Sequence, residues 1–114
     1  MPSTTIETKA DYDDAHVARL IEAVFAAQVD ALGASDEYRN VRYIQHEAAR
    51  FASPPAKRDR HIHIEISLFT GRPADVKQDL FTKTVDRLAA LGHPREEVSI
   101  VLHEQPRENW YFGT

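Results

Sequence analysis

Proline stands at position 2, directly behind Met1. Excision of an initiator methionine is favoured by a small second residue, and here it would leave Pro2 as a terminal secondary amine. Model α-amino groups titrate at about 7.7–8.0. An apolar pocket with cations nearby lowers that value by penalising the ammonium form. The result would be a general base near neutral pH that needs neither histidine nor carboxylate. The plainer alternative is that Pro2 only permits removal of Met1.

A second candidate is Gly71-Arg72-Pro73-Ala74-Asp75-Val76-Lys77, at a junction expected to join a strand to a helix. Glycine allows the turn, and Arg72 then lies at the mouth of a helix whose free N–H groups favour anions. A guanidinium there can hold a carboxylate through two parallel hydrogen bonds, or it can simply be a surface arginine after a loop. The third candidate is the aromatic run Trp110-Tyr111-Phe112, close to Gly113. Little sequence follows to cover it, so an interface or a pocket wall is expected rather than an exposed patch. Histidines 46, 61, 63 and 103 raise a metal site as a possibility. Strand alternation already assigns His61 and His63 to a polar face, however, and neither a metal nor any other cofactor is expected.

These residues need elements to position them. Apolar residues recur at three- and four-residue steps through Val17, Leu20, Ile21, Val24, Phe25, Val29 and Leu32, which predicts a helix from about Asp13 to Leu32. Asp13 and Asp14 suit its start and Gly33 its stop. A second helix is expected from Pro73 or Ala74 to Leu91, with the stripe Val76, Leu80, Phe81, Thr84, Val85, Leu88 and Leu91, ended by Gly92. Pro73 fits the first turn, where its missing N–H costs nothing. His61 to Leu68 alternates strictly and reads as a strand, as does Val98 to Leu102. Val41 to Gln45 and Thr4 to Thr8 are weaker strands. Residues 52–60 form a polar, proline-containing connector.

The order strand–helix–strand thus occurs twice. Ile6-Glu7 repeats as Ile64-Glu65, Leu32-Gly33 as Leu91-Gly92, and His46-Glu47 as His103-Glu104, at offsets of about 58. The expected fold is α+β within a single domain spanning 1–114. Its repeats cover about 1–51 and 61–114, giving duplicated β-α-β units in a four-stranded mixed sheet with both helices on one face. The uncovered face then calls for another subunit.

Composition narrows the function. With 14 basic and 18 acidic residues the net charge is −4, which argues against a nucleic-acid surface. No apolar run approaches the roughly 20 residues of a membrane span, and the first residues lack the features of a secretory signal. The absence of cysteine excludes thiol nucleophiles and disulfides. A cytoplasmic protein with no nucleic-acid or membrane partner is expected.

Taken together, Pro2, the Gly71–Lys77 run, Val98-Ser99-Ile100 with Glu104, and Asn109-Trp110-Tyr111-Phe112-Gly113 resemble the tautomerase superfamily. The Gly71–Lys77 run is similar to that family's Gly-Arg-Ser/Thr-x-x-x-Lys signature, and the tail to its Trp-x-Phe-Gly closure. Length and His46 point to the malonate semialdehyde decarboxylase-like branch. The resemblance implies Pro2 as the catalytic amine, Arg72 as the carboxylate binder and a homotrimer. It also exposes departures. Tyr38 stands where that branch carries an aspartate, with Asp36 and Glu37 adjacent. Thr70 stands where it carries a second arginine.

The expected activity is therefore keto–enol tautomerisation of a small 2-oxo or enol carboxylate, without a cofactor. Pro2, Arg72 and Tyr38 are the catalytic set, and Arg39, Arg42, Thr70, Trp110 and Phe112 help bind substrate. Decarboxylation or hydration of a 3-oxo acid and a non-catalytic trimeric binding protein are the alternatives. The polar run Ser3-Thr4-Thr5 is expected to make the pocket floor wetter than the family norm.

Overall fold

The computed structural model describes residues 2–113, with Arg58 described by its backbone only. The strands are β1 (Ser3–Thr8), β2 (Val41–Gln45), β3 (Ile62–Phe69) and β4 (Val98–Gln105), and the helices are α1 (Asp14–Leu32) and α2 (Ala74–Ala90). One mixed sheet holds all four strands in the order β2-β1-β3-β4. β1 runs parallel to β2, β3 runs parallel to β4, and β1 and β3 pair antiparallel with Ile6 opposite Ile64. The expected four-stranded mixed sheet with two helices is therefore what the chain forms.

Alternation along the two central strands decides which face the helices cover. Thr4, Ile6 and Thr8 of β1 and Ile62, Ile64, Ile66 and Leu68 of β3 point one way and are buried. Leu20 and Val24 of α1 and Leu80 and Leu88 of α2 close over them in one core, so both helices lie on the same side. Each of these aliphatic side chains contributes roughly 1.5–3 kcal/mol by leaving water.

Helix α1 begins where Asp13 accepts a 2.8 Å bond from the His16 N–H, and ends at Gly33, whose φ of 68° is a left-handed conformation that disfavours a side chain. Pro73 differs slightly from expectation. It is the N-cap of α2 rather than part of its first turn, because its ψ of 162° is extended and Ala74 opens the helix. β4 continues three residues past Leu102, since β3 keeps pairing with it as far as Phe69 opposite Gln105. An edge strand needs no apolar alternation to be held this way. The connector is not wholly irregular, as Pro55–Arg60 winds into a 3₁₀ helix.

Two further departures concern the core. Val29, part of the expected apolar stripe, is 41% exposed, whereas Ala27 and Gln28 are buried beneath α1. Gln28 is tolerated there because its side-chain amide donates a 2.6 Å hydrogen bond to Thr4 Oγ1. Thr4 thus belongs to the helix-covered core, while Ser3 and Thr5 point to the opposite face. Ser3, Thr4 and Thr5 therefore do not form a single pocket floor. Among the described residues, no helix is long and apolar enough to cross a membrane.

Candidate active site

The first turns after α1 shape one end of the sheet. Gly33 reverses the chain, Ala34 follows, and Ser35 caps a 3₁₀ turn at Asp36–Tyr38 by accepting from the Glu37 N–H. That turn carries Tyr38 toward the start of β1. From the other half of the chain, Gly71 turns at a φ of 121° between β3 and α2 and brings Arg72 to the same place. Pro2, Leu32, Gly33, Ala34, Ser35, Tyr38 and Arg72 together line a cavity of about 240 Å³.

Three chemically distinct groups meet here. Pro2 is buried at the head of a central strand. The Arg72 guanidinium is half-buried and donates to the Phe69 carbonyl at 3.3 Å through one nitrogen, and among the described residues no carboxylate pairs with it. Tyr38 is 46% exposed and presents a phenol at the rim. A small cavity with a single cation and a hydroxyl donor can bind and orient a small monocarboxylate. Leu32, Ala34 and Ser35 escaped the sequence reading as pocket residues. The signal for Ala34 and Ser35 was present, because small residues directly after a helix-ending glycine leave room.

The other candidates lie outside that lining. Arg39 binds Glu22 at 2.5 Å and Asp36 at 2.7 Å, and its guanidinium sits 4.3 Å over the Phe25 ring. Its carboxylate partners hold it charged, pushing its pKa further up, and Arg39 holds Glu22 below the usual carboxylate range. Asp36 is committed to this pair, and neither Asp36 nor Glu37 lines the cavity. Arg42 points to the helix-free face of the sheet, where it donates to Asn40, to Ser3 at 3.1 Å and to Thr5 at 3.2 Å. Thr70 is exposed and tied by its backbone N–H to the Gln105 carbonyl at 3.1 Å.

Trp110 and Phe112 stack on each other at 5.7 Å and meet Phe69 edge-on, at 5.3 Å and 6.3 Å. They do not line the cavity, but they pack against Phe69, whose carbonyl accepts from Arg72. A larger, shallower groove of about 420 Å³ lies between α2 and β4. Its charged groups, Lys77 and Glu104, neutralise each other at 2.9 Å, so it offers an incoming ion little.

Comparison with known proteins fits this architecture. A family model described as a tautomerase enzyme matches residues 38–113. Among solved structures, malonate semialdehyde decarboxylase superposes with a TM-score of 0.87 at 19% identity, covering 98% of this chain and 91% of that one. Native fused 4-OT gives 0.85 at 22% identity over 97% and 92% of the two chains, and fused 4-OT also occurs as symmetric and asymmetric trimers. N1, a member of the cis-3-chloroacrylic acid dehalogenase family, gives 0.83 at 21% identity over 97% and 80%. No curated protein matches significantly by sequence. The structural likenesses are likenesses of fold, and the matched family model spans well over half the sequence. This chain belongs to the tautomerase family.

Proposed function

We propose that the protein is a proline-dependent tautomerase that interconverts enol and keto forms of a small 2-oxo carboxylate, acting as a homotrimer without a cofactor. Excision of Met1 frees the Pro2 nitrogen. In its neutral form that nitrogen takes a proton from the enol hydroxyl, or from the carbon beside the carbonyl, and the resulting ammonium returns it at another carbon. Protons balance within one cycle. Arg72 holds the substrate carboxylate and stabilises charge building on the neighbouring oxygen. Tyr38 donates a hydrogen bond from the rim, and Trp110 and Phe112 stiffen the strand end that carries Arg72.

The observation supporting this reading is the convergence of Pro2, Tyr38 and Arg72, distant in sequence, around one small cavity. The test combines intact mass with turnover. The mature chain is expected to lack Met1 and to accelerate ketonisation of phenylenolpyruvate. A halogenated 2-oxo acid is expected to label the Pro2 nitrogen and stop turnover. Retention of Met1, or full activity after labelling, overturns the assignment of the base.

The fold likeness to malonate semialdehyde decarboxylase supports a second reading, decarboxylation of a 3-oxo acid with cationic Pro2 polarising the carbonyl. Carbon dioxide release from malonate semialdehyde would favour it. Absence of both reactions leaves the non-catalytic trimeric binding protein.

A further inference from the structure

We propose that the helix-free face of the sheet carries a site for one divalent transition-metal ion of the zinc class, built from Glu7, His63 and Glu65. Glu7 and His63 are cross-strand partners on β1 and β3, and Glu65 follows two residues later on the same face. One ligand atom from each lies within 4.8 Å of the others. Tetrahedral metal–oxygen and metal–nitrogen bonds of about 2.0–2.2 Å place paired ligand atoms about 3.3–3.6 Å apart, so side-chain rotations that draw these atoms together close the site. One imidazole with two carboxylates is a donor set suited to zinc, cobalt or manganese.

Charge points the same way. Two carboxylates face each other on a half-buried surface, with Glu7 24% and Glu65 41% exposed. Among the described residues of the same chain, no lysine or arginine reaches either one. Their partners are imidazoles: His46 Nε2 is 2.9 Å from Glu7 Oε1, His63 Nε2 is 3.0 Å from Glu65 Oε2, and His103 Nε2 is 2.5 Å from Glu65 Oε1. A divalent ion supplies the positive charge that this pair lacks.

The surroundings are already ordered for a ligand histidine. His63 Nδ1 lies 2.7 Å from Ser99 Oγ, which also lies 2.7 Å from His61 Nε2, and His61 Nδ1 lies 2.8 Å from Ser53 Oγ. This chain anchors the far nitrogen of His63 and leaves Nε2 toward the carboxylates, as outer partners orient imidazoles in metal sites. His46 and His103 brace the two carboxylates. Alternation along β1 turns Glu7 away from the face that buries Thr4, Ile6 and Thr8, so the ion is held apart from the cavity at Pro2.

The test is calorimetric titration of the chelator-treated full-length protein with zinc. One ion per chain is expected, with a dissociation constant in the micromolar range or below. Glu7→Gln and His63→Asn are each expected to weaken binding at least 10-fold, and Ser99→Ala to weaken it less. Zinc-edge X-ray absorption of the wild-type protein needs no variant, and should show mixed nitrogen and oxygen ligation. Absence of binding overturns the proposal, as does an affinity insensitive to Glu7→Gln, the result given by scattered surface imidazoles. A ligand shell of imidazole alone overturns it too.

Discussion

The two ends of the sheet are made from matching elements and finish differently. At one end α1 is followed by Leu32-Gly33-Ala34 and a 3₁₀ turn, and at the other α2 is followed by Leu91-Gly92-His93 and a 3₁₀ turn at Arg95–Glu97. The residue after glycine decides the outcome. Ala34 lines an open cavity, whereas His93 is fully buried and fills its end. His93 Nε2 lies 2.7 Å from His16 Nε2, and Tyr12 packs edge-on against the His93 ring at 5.3 Å. Tyr12 precedes the N-cap of α1 as Arg72 precedes that of α2. Arg60, by register the counterpart of Pro2, donates to the Gly92 carbonyl at 3.1 Å and pairs with Glu97 at 3.5 Å. One end has spent its polar groups on packing, and the other keeps an arginine and a phenol available.

The contrast can be broken from either side. Pro2→Ala should have the largest effect, lowering kcat/KM for ketonisation by about 10²–10⁴-fold, read by ultraviolet progress curves. Ala34→His imports the closed end's solution into the open one. It should cost more than about tenfold in kcat/KM by filling the cavity, while circular dichroism shows a folded chain. His93→Ala does the reverse, removing a buried ring and its bond to His16. A loss of about 2–3 kcal/mol in urea unfolding is expected, with partial rescue by added imidazole.

The same histidine gives a pH signature. Burial, with His16 and Arg60 nearby, pushes His93 down to about 4 from an ordinary value of 6.5. Between those values the unfolded chain binds a proton that the native state does not, so stability falls as pH drops from about 6.5 to about 4 and this contribution levels off below. Thermal melts across that window should show the slope, and His93→Ala should remove this part of it. The smallest effect is reserved for Arg39→Ala. Because its guanidinium is committed to Glu22 and Asp36, KM should change less than about twofold.

Much of this is legible in the sequence alone. Strict alternation in Ile62-His63-Ile64-Glu65-Ile66 identifies a strand with one buried face, because the pattern satisfies that face and no other. Glycines 33 and 92 mark the helix ends because a left-handed residue is costly for other side chains. Gln28 and His93 were not legible as core. Each is polar, and each is buried because of a partner far away in sequence, Thr4 in one case and His16 in the other. The fate of Arg39 was hidden for the same reason, since Glu22 lies a helix away. Tyr38 is legible only through its place in the family pattern, because periodicity alone leaves it in a loop.

The placement of Pro2 has a consequence for biosynthesis. Residue 2 heads a strand clasped between β2 and β3, and β3 is translated some 60 residues later, roughly 3–12 s at ordinary elongation speeds. Until then the N-terminus has only its own half of the chain to fold against. The proposed chemistry requires removal of Met1, and that interval is the one in which β1 still lacks its β3 partner.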